Sequence, residues 1–366
     1  MPMADMFLSI LIVSAIAAAL AALLVVAQRY LANYGKCRIK INDSKTIEVE
    51  GGSPLLESLA QNKIFIPSAC GGRGTCAYCK VKVMEGGGPV VPTEEPYLDE
   101  GERKDGVRLS CQVKVRNDLR IEIPEELFSV REYLCTCTRI RELTHDIREF
   151  RFELKEPAEI TFVPGQYVQL FSPAYDGNEE VYRAYSIASD PAEKNIVDLV
   201  IRLVPGGICT TWCFEHLKEG AEARFNGPYG QFRLSDSEAP MIFVAGGSGM
   251  APMKCILHHM KNSGNRRKTT YFFGANLVNE LFYRELMQEF EQSLGSFRFV
   301  PVVSRPGEGD PWDGETGLVT EALRRNIKDA AGCEGYLCGS PGMIDAAVKV
   351  LVELGVPGDK IFYDKF

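Results

Sequence analysis

The chain has no excess of basic residues. Its 41 Lys and Arg are outnumbered by 49 Asp and Glu, for a net charge of −8 over 366 residues. Without a cationic surface to neutralise phosphates, it does not read as a nucleic-acid binder. Internal repeats and low-complexity tracts are missing too, which excludes repeat arrays. Basic residues are also absent ahead of the first apolar run, where a secretory signal peptide would carry them; that segment holds only Asp5.

The apolar run itself, Met6 to Ala27, has 22 residues without a charge, about what crosses a bilayer as a helix. Arg29, Lys36, Arg38 and Lys40 follow it, so positive-inside bias sets the N-terminus outside and the rest in the cytoplasm. Residues 1–35 are therefore expected to be a transmembrane anchor. A cleaved signal peptide is the competing reading, to which the small residues of AIAAALAA lend weight.

Cysteine is what the chain has in plenty, with 12. One tight cluster, scattered singles and close pairs such as Cys135/Cys137 in a long chain read as reduced intracellular thiols, not as a disulfide framework. At roughly 100–200 residues per domain, the length calls for two or three domains.

Local patterning divides the chain further. CRIKINDSKTIEVEGG alternates apolar and polar residues about a turn at Asn42 to Ser44, a hairpin signature. SPLLESLAQNK has helical spacing from Leu55 to Leu59, and CKVKVMEG, VRLSCQVKV and LRIEIP read as strands. Together they predict an α+β domain over 36–125. Short alternating strands over 131–235 (REFRFEL, QYVQLF, VDLVIRLV, ARFNGPYGQFRL) predict an antiparallel barrel. Over 238–366, apolar runs such as MIFVAGG, TTYFFGA, FRFVPVVS and EGYLCGS alternate with helical stretches, the pattern of a doubly wound parallel sheet.

Cys70, Cys76 and Cys79 are spaced C-x5-C-x2-C, with Cys111 32 positions beyond Cys79. Four thiolates complete tetrahedral coordination of two sulfide-bridged irons. Gly71, Gly72 and Gly74 let the backbone wrap a cluster closely. The spacing departs by one residue from the plant-type C-x4-C-x2-C. Zinc is the alternative, but zinc ribbons usually present two C-x2-C knuckles and here Cys111 stands alone. The remaining cysteines, among them Cys135, Cys137, Cys209, Cys213 and Cys255, read as small buried hydrophobes.

Further along, RAYS (Arg183 to Ser186) ends a strand and PGGICTTW (Pro205 to Trp212) opens a helix about twenty residues later. An arginine fork and a helix start rich in small hydroxyl residues suit a pyrophosphate, and Tyr185 and Ser186 suit the wall of an isoalloxazine ring. VAGGSGMAP (Val244 to Pro252) follows the first parallel strand, where glycines allow close approach to a dinucleotide phosphate. CGSPGM (Cys338 to Met343) sits where a late strand meets the ligand-binding edge of such sheets. Cys338 there is a candidate nicotinamide contact, with ordinary burial as the competing reading.

RAYS, the Gly-Thr-Thr turn, GPYG, AGGSGMAP and CGSPGM, in this order, resemble the ferredoxin–NADP reductase superfamily. With a C-x5-C-x2-C domain and an apolar helix before them, the whole chain is similar to the F subunits of sodium-translocating NADH:quinone oxidoreductases. That resemblance implies a β-grasp ferredoxin domain with a 2Fe-2S cluster on Cys70, Cys76, Cys79 and Cys111. It implies FAD held by Arg183, Tyr185, Ser186 and the turn of Gly207, Thr210 and Thr211. NADH would lie against Gly246, Gly247, Gly249, Pro252, Cys338 and Gly339, with Phe366 over the flavin; Ser186 and Cys338 would orient the nicotinamide and tune the flavin. It further implies partner subunits, indirect delivery to a quinone, and a bacterial inner-membrane location with the soluble domains cytoplasmic.

Two departures qualify the resemblance. The segment from Gln166 to Arg183 is shorter than in typical F subunits, and the end, IFYDKF, is similar to soluble oxygenase reductases. An NADH-dependent reductase serving an oxygenase is thus the second reading, and a zinc-holding scaffold without catalysis the third. As to the nucleotide, GANLVNELFY has no basic residue for a 2′-phosphate, which favours NADH, whereas Ser304 and Arg305 resemble a pair that binds NADPH.

Overall fold

The computed structural model describes residues 3–31, 34–307 and 311–365, and Phe366 lies outside them. The chain divides into two compact units, 1–129 and 130–366. In the first, helix α1 (Met3–Leu31) covers the apolar run. Among the described residues no helix is long and apolar enough to cross a membrane. The structure therefore does not show the expected anchor.

Strands β1 (Lys36–Ile41) and β2 (Lys45–Glu50) form the expected hairpin, paired antiparallel from Lys36↔Glu50 to Ile41↔Lys45. Asn42 and Asp43 both take positive φ, 48° and 54°, and the Ser44 N–H bonds the Ile41 carbonyl within the three-residue loop from Asn42 to Ser44 that joins the strands. Cys37, Ile39 and Ile41 point into the core while Lys36, Arg38 and Lys40 face out. Helix α2 (Leu55–Gln61), strand β3 (Lys80–Glu85), helix α3 (Glu100–Lys104), and strands β4 (Val107–Leu109) and β5 (Leu119–Glu122) complete a five-stranded sheet in the order β2-β1-β5-β3-β4, with β1 and β5 parallel. The strand expected through VRLSCQVKV stops at Leu109. Gln112 and Val113 donate back to the Leu109 carbonyl, making a turn at Cys111.

The second unit opens with an antiparallel sheet of β6 (Arg131–Glu142), β7 (Ile147–Glu156), β8 (Tyr167–Ser172), β9 (Val181–Ser186), β10 (Ile196–Arg202) and, beyond helix α4 (Ile208–Thr211), β11 (Glu222–Tyr229). Its order is β10-β7-β6-β11-β8-β9. The two edges meet at a single bridge, Ile187↔Leu199, backed by the Ala188 N–H on the Asp198 carbonyl, so the sheet curls into a barrel. Its core holds Phe150, Phe152, Leu170, Leu199 and Phe225 and five thiols, Cys135, Cys137, Cys209, Cys213 and Cys255.

A parallel sheet follows: β12 (Met241–Gly246), α5 (Met250–Ser263), β13 (Thr269–Ala275), α6 (Arg284–Leu294), β14 (Phe297–Val303), β15 (Glu315–Thr316), α7 (Val319–Asn326), β16 (Glu334–Gly339), α8 (Pro341–Glu353) and β17 (Ile361–Lys365). The strand order is β15-β14-β13-β12-β16-β17. Phe243, Tyr271, Phe273 and Tyr336 pack on the α5/α6 face, while Val244, Phe272 and Leu337 pack with residues of α7 and α8. Apolar residues of both parities along buried strands are what a two-sided parallel sheet demands.

Barrel and parallel sheet are joined by buried charge. Lys254, in the second turn of α5, reaches Glu149 of β7 at 2.9 Å and Asp198 of β10 at 3.6 Å. Tyr283 donates to the same Glu149 oxygen, Arg139 reaches Glu149 at 2.8 Å, and Arg151 holds Asp198 with two bonds of 2.8 Å. Burial alone would raise the Glu149 carboxyl, but Lys254, Tyr283 and Arg139 bring it from 4.5 down to about 2.

A depressed carboxyl stabilises the fold above its unfolded value and loses that contribution as pH falls through the folded one. Urea unfolding should therefore show wild-type stability declining from about pH 4.5 to about pH 2, with Glu149→Gln flattening that decline. At neutral pH, Lys254→Met should cost about 3 kcal/mol, because it strands buried carboxylates. Arg324→Ala, which breaks the exposed pair with Glu353, should cost under about 1 kcal/mol.

Candidate functional site

The cysteine loop begins at Ser68, which accepts the Gly72 N–H on its hydroxyl at 2.9 Å and the Gly71 N–H on its carbonyl. These bonds curl the chain back beneath Cys70. Cys79 directly precedes β3, Cys111 lies two residues past the end of β4, and the pairing Lys80↔Leu109 brings the two thiols together. The result is two pairs: Cys70 and Cys76 with sulfurs 3.4 Å apart, and Cys79 and Cys111 with sulfurs 3.3 Å apart. Within each pair one thiol donates to the other, so Cys70 and Cys111 are drawn toward thiolate while Cys76 and Cys79 keep their protons.

Among the described residues no three His, Cys, Asp or Glu side chains converge on a point that one ion could occupy. Two sulfurs on a tetrahedral metal at about 2.3 Å lie about 3.8 Å apart, close to the spacing in each pair. The arrangement fits two metal centres with two protein thiolates each, as a 2Fe-2S cluster has, better than one zinc ion.

A buried clamp supports the far side of this loop. Arg108 meets Glu94 at 2.6 Å and also donates to the carbonyls of Gly87, Gly88 and Pro89. Glu94 in turn accepts from the Val91 and Leu109 N–H groups. The stretch from Gly87 to Glu94 is thus fixed in place. Sequence reading also missed Gln112, whose amide lies 3.4 Å from the Cys111 sulfur; its adjacency to a ligand cysteine was the available signal.

In the barrel, Arg183 and Tyr185 lie two apart on β9 and so share a face, paired with Leu170 and Val168 of β8. Gln169 Nε2 is buried without a hydrogen-bond partner, and the buried Tyr185 hydroxyl lies against the Cys209 thiol. Ser186 is buried at the strand end. The Thr210 hydroxyl is occupied in holding its own turn through the Val204 and Gly207 carbonyls, while the Gly207 N–H goes to Val204. Of the residues expected at that turn, Thr211 is half-buried beside Tyr175.

On the parallel sheet, strand order reverses between β12 and β16, the switch point where such sheets bind ligands. Gly246, Gly247 and Gly249 cap one strand, and Cys338 and Gly339 end the other. An added Cβ on Gly249 would stand 2.2 Å from the Cys338 carbonyl oxygen, so only glycine lets turn and strand approach this closely. The Cys338 side chain is fully buried in the core, which keeps the thiol neutral. Pro252 is buried in the first turn of α5, where a missing N–H costs nothing. Ser304 turns its hydroxyl to Asn276, 3.3 Å away, and the Arg305 N–H bonds the Asn276 carbonyl.

Comparison with known proteins resolves the family. Residues 39–116 match the 2Fe-2S iron-sulfur cluster binding domain, 134–234 the oxidoreductase FAD-binding domain and 243–349 the oxidoreductase NAD-binding domain. The chain is 36% identical to the F subunit of the Na(+)-translocating NADH-quinone reductase of Pseudomonas aeruginosa and 35% identical to that of Neisseria gonorrhoeae, each over 99% of this chain and 98% or 99% of the relative. It belongs to this family of F subunits.

Among solved structures, the fold resembles the Amycolatopsis cytochrome P450 reductase GcoB, with TM-score 0.74, 28% identity and coverage of 90% of this chain and 98% of that one. The ferredoxin reductase in carbazole 1,9a-dioxygenase follows at TM-score 0.70 and 25% identity, with the same coverage. The Pseudomonas alignment runs over 402 positions, more than the 366 residues of this chain, so the relative has segments that are missing here. Sequence reading puts one such shortening between Gln166 and Arg183. There β8 and β9 are joined by a compact turn in which Tyr175 and Asn178 exchange two backbone bonds of 3.2 and 2.7 Å.

The residues present fit all three cofactors. The two thiol pairs suit the cluster, the buried and unpartnered Gln169 amide nitrogen suits a polar flavin, and the glycine turn suits a dinucleotide. Metal analysis should find about two irons and two acid-labile sulfides per chain. Cys76→Ser should lose both while FAD content holds. One zinc per chain and no sulfide would contradict the assignment.

Proposed function

We propose that this chain is the electron-entry component of a Na+-translocating NADH-quinone reductase, anchored in the membrane by residues 1–35, with its soluble parts in the cytoplasm. Electrons pass from NADH through FAD to the 2Fe-2S cluster, and from there to a membrane partner that delivers them to quinone. The observation that carries this reading is the presence, on one chain of this family, of two thiol pairs and a glycine-lined switch point staked to a barrel. FAD when bound accepts a hydride and releases electrons singly, and the cluster takes them one at a time.

The chain's own residues bind and orient. The turn from Gly246 to Gly249 leads into α5 and receives the dinucleotide phosphates. Arg183 and Thr211 would hold the FAD pyrophosphate, on a turn that Gly207 and Thr210 fix through their own bonds. The Tyr185 ring would lie against the isoalloxazine with Ser186 beside it, the strand end at Cys338 and Gly339 would face the nicotinamide with the Cys338 thiol turned into the core, and Phe366, outside the described residues, would cover the flavin. Hydride transfer needs no protein acid or base, and none is assigned. Four segments divide this work: the anchor, the cluster domain 36–125, the flavin domain 131–235 and the NADH domain 238–366. One spanning helix without charges inside the apolar run has no ion path, so ion movement belongs to the partner subunits.

A second reading, an oxygenase-serving reductase, is favoured by the likeness to GcoB. Pull-down of the tagged full chain from its native host decides between them. The expected result is a membrane fraction that holds multi-span subunits and reduces quinone with NADH. Removing residues 1–33 should release the chain to the soluble fraction, with NADH oxidation by ferricyanide kept and quinone reduction lost. A soluble full-length chain that brings down an oxygenase would overturn the proposal.

A further inference from the structure

Gln112 is half-buried beside the Cys79/Cys111 pair, its Nε2 3.4 Å from the Cys111 sulfur. Its other end meets Thr93, whose hydroxyl lies 2.8 Å from Oε1. The chemistry decides which way this amide faces. A metal-bound sulfur only accepts hydrogen bonds, so the NH2 end must point to Cys111, leaving the carbonyl for Thr93 to donate to. Two further features hold this arrangement. Gly74 of the cysteine loop, at φ +74°, makes the space, since a Cβ there would stand 2.7 Å from the Gln112 Nε2. Thr93 is itself exposed but is followed by Glu94, the fully buried partner of Arg108, so its backbone is anchored.

We propose that Gln112 is a hydrogen-bond donor to the Cys111 sulfur that raises the reduction potential of the 2Fe-2S cluster, with Thr93 as the positioning residue that orients its amide. The inference rests on the cluster assignment above and adds to it a named tuning group. Reduction puts one more negative charge on the cluster and its ligand sulfurs. A donor aimed at one of those sulfurs stabilises the reduced form more than the oxidised form. Outer-shell partners of this type set the properties of metal sites as much as the ligands do. The loop from Gly87 to Glu94, remote in sequence from Cys111, thereby acts on the cluster through one side-chain amide.

The test is an EPR-monitored redox titration of the full-length holoprotein, with iron, sulfide and FAD measured on each sample. Gln112→Leu should keep its iron and sulfide and show a reduced-to-oxidised cluster ratio about tenfold lower at a given ambient potential, which is about 59 mV for a one-electron couple. Thr93→Val should move the potential the same way by less, and the flavin potential should stay put in both. Deuterium exchange should reveal a proton coupled to the wild-type cluster that is absent in Gln112→Leu.

An intact cluster with unchanged potential in Gln112→Leu overturns the proposal. If that variant loses iron, Thr93→Val decides: a lowered potential supports the proposal and an unchanged one overturns it. Wild-type protein lacking iron and sulfide would overturn the cluster assignment itself, and metal analysis tells that failure from the first.

Discussion

The reductase half depends on one buried cation. Lys254 projects from the helix that opens at the glycine turn and is held between Glu149 and Asp198, carboxylates of two different barrel strands. Water cannot screen these charges, so displacing the helix would separate them at high cost. The helix is thereby fixed on the barrel, and with it the end of β12, the proposed place of the nucleotide. Hydride transfer requires reacting atoms within about 3–3.5 Å, so the register of the two lobes is part of the chemistry. Tyr283 and Arg139 on Glu149, and Arg151 on Asp198, complete the network, so every charge in it has a counter-charge or a donor.

The ferredoxin domain meets a different demand. It has to hold four thiols as two pairs on a loop tight enough to follow the cluster, and to keep their surroundings rigid. The Ser68 hydroxyl shapes the start of that loop, the β3/β4 register sets the second pair, and the Arg108–Glu94 clamp fixes the neighbouring segment. Each is an ordinary device of folding, and together they leave the sulfurs preorganised.

Several of these features were legible in the residues and several were not. The C-x5-C-x2-C spacing, the hairpin at Asn42 and Asp43, and the glycine turn after β12 are local, so their chemistry is written in adjacent letters. Cys111 was read as a candidate ligand but not as a turn residue, because VRLSCQVKV alternates like a strand and only the bonds back to Leu109 break it. Lys254 and Glu149 carry no local signal of their role; their burial follows from packing a helix on a strand more than a hundred residues away in sequence. Glu94 and Arg108 were hidden for the same reason, since a charged pair shows its role only once both partners lose solvent. Cys338 was read as a candidate nicotinamide contact with ordinary burial as the competing reading, and its side chain is fully buried at the strand end where the sequence placed it.

In the proposed electron path, a pair of electrons enters at the nucleotide edge and leaves singly through the thiol-bound cluster of the same chain. An anaerobic NADH titration of full-length protein with measured FAD, iron and sulfide is the decisive experiment. The expected uptake is about one and a half NADH per chain, two electrons at the flavin and one at the cluster, with the EPR signal of the reduced cluster growing in as NADH is added. Complete flavin reduction with about one NADH, and a cluster that stays oxidised until a stronger chemical reductant is added, would refute that path.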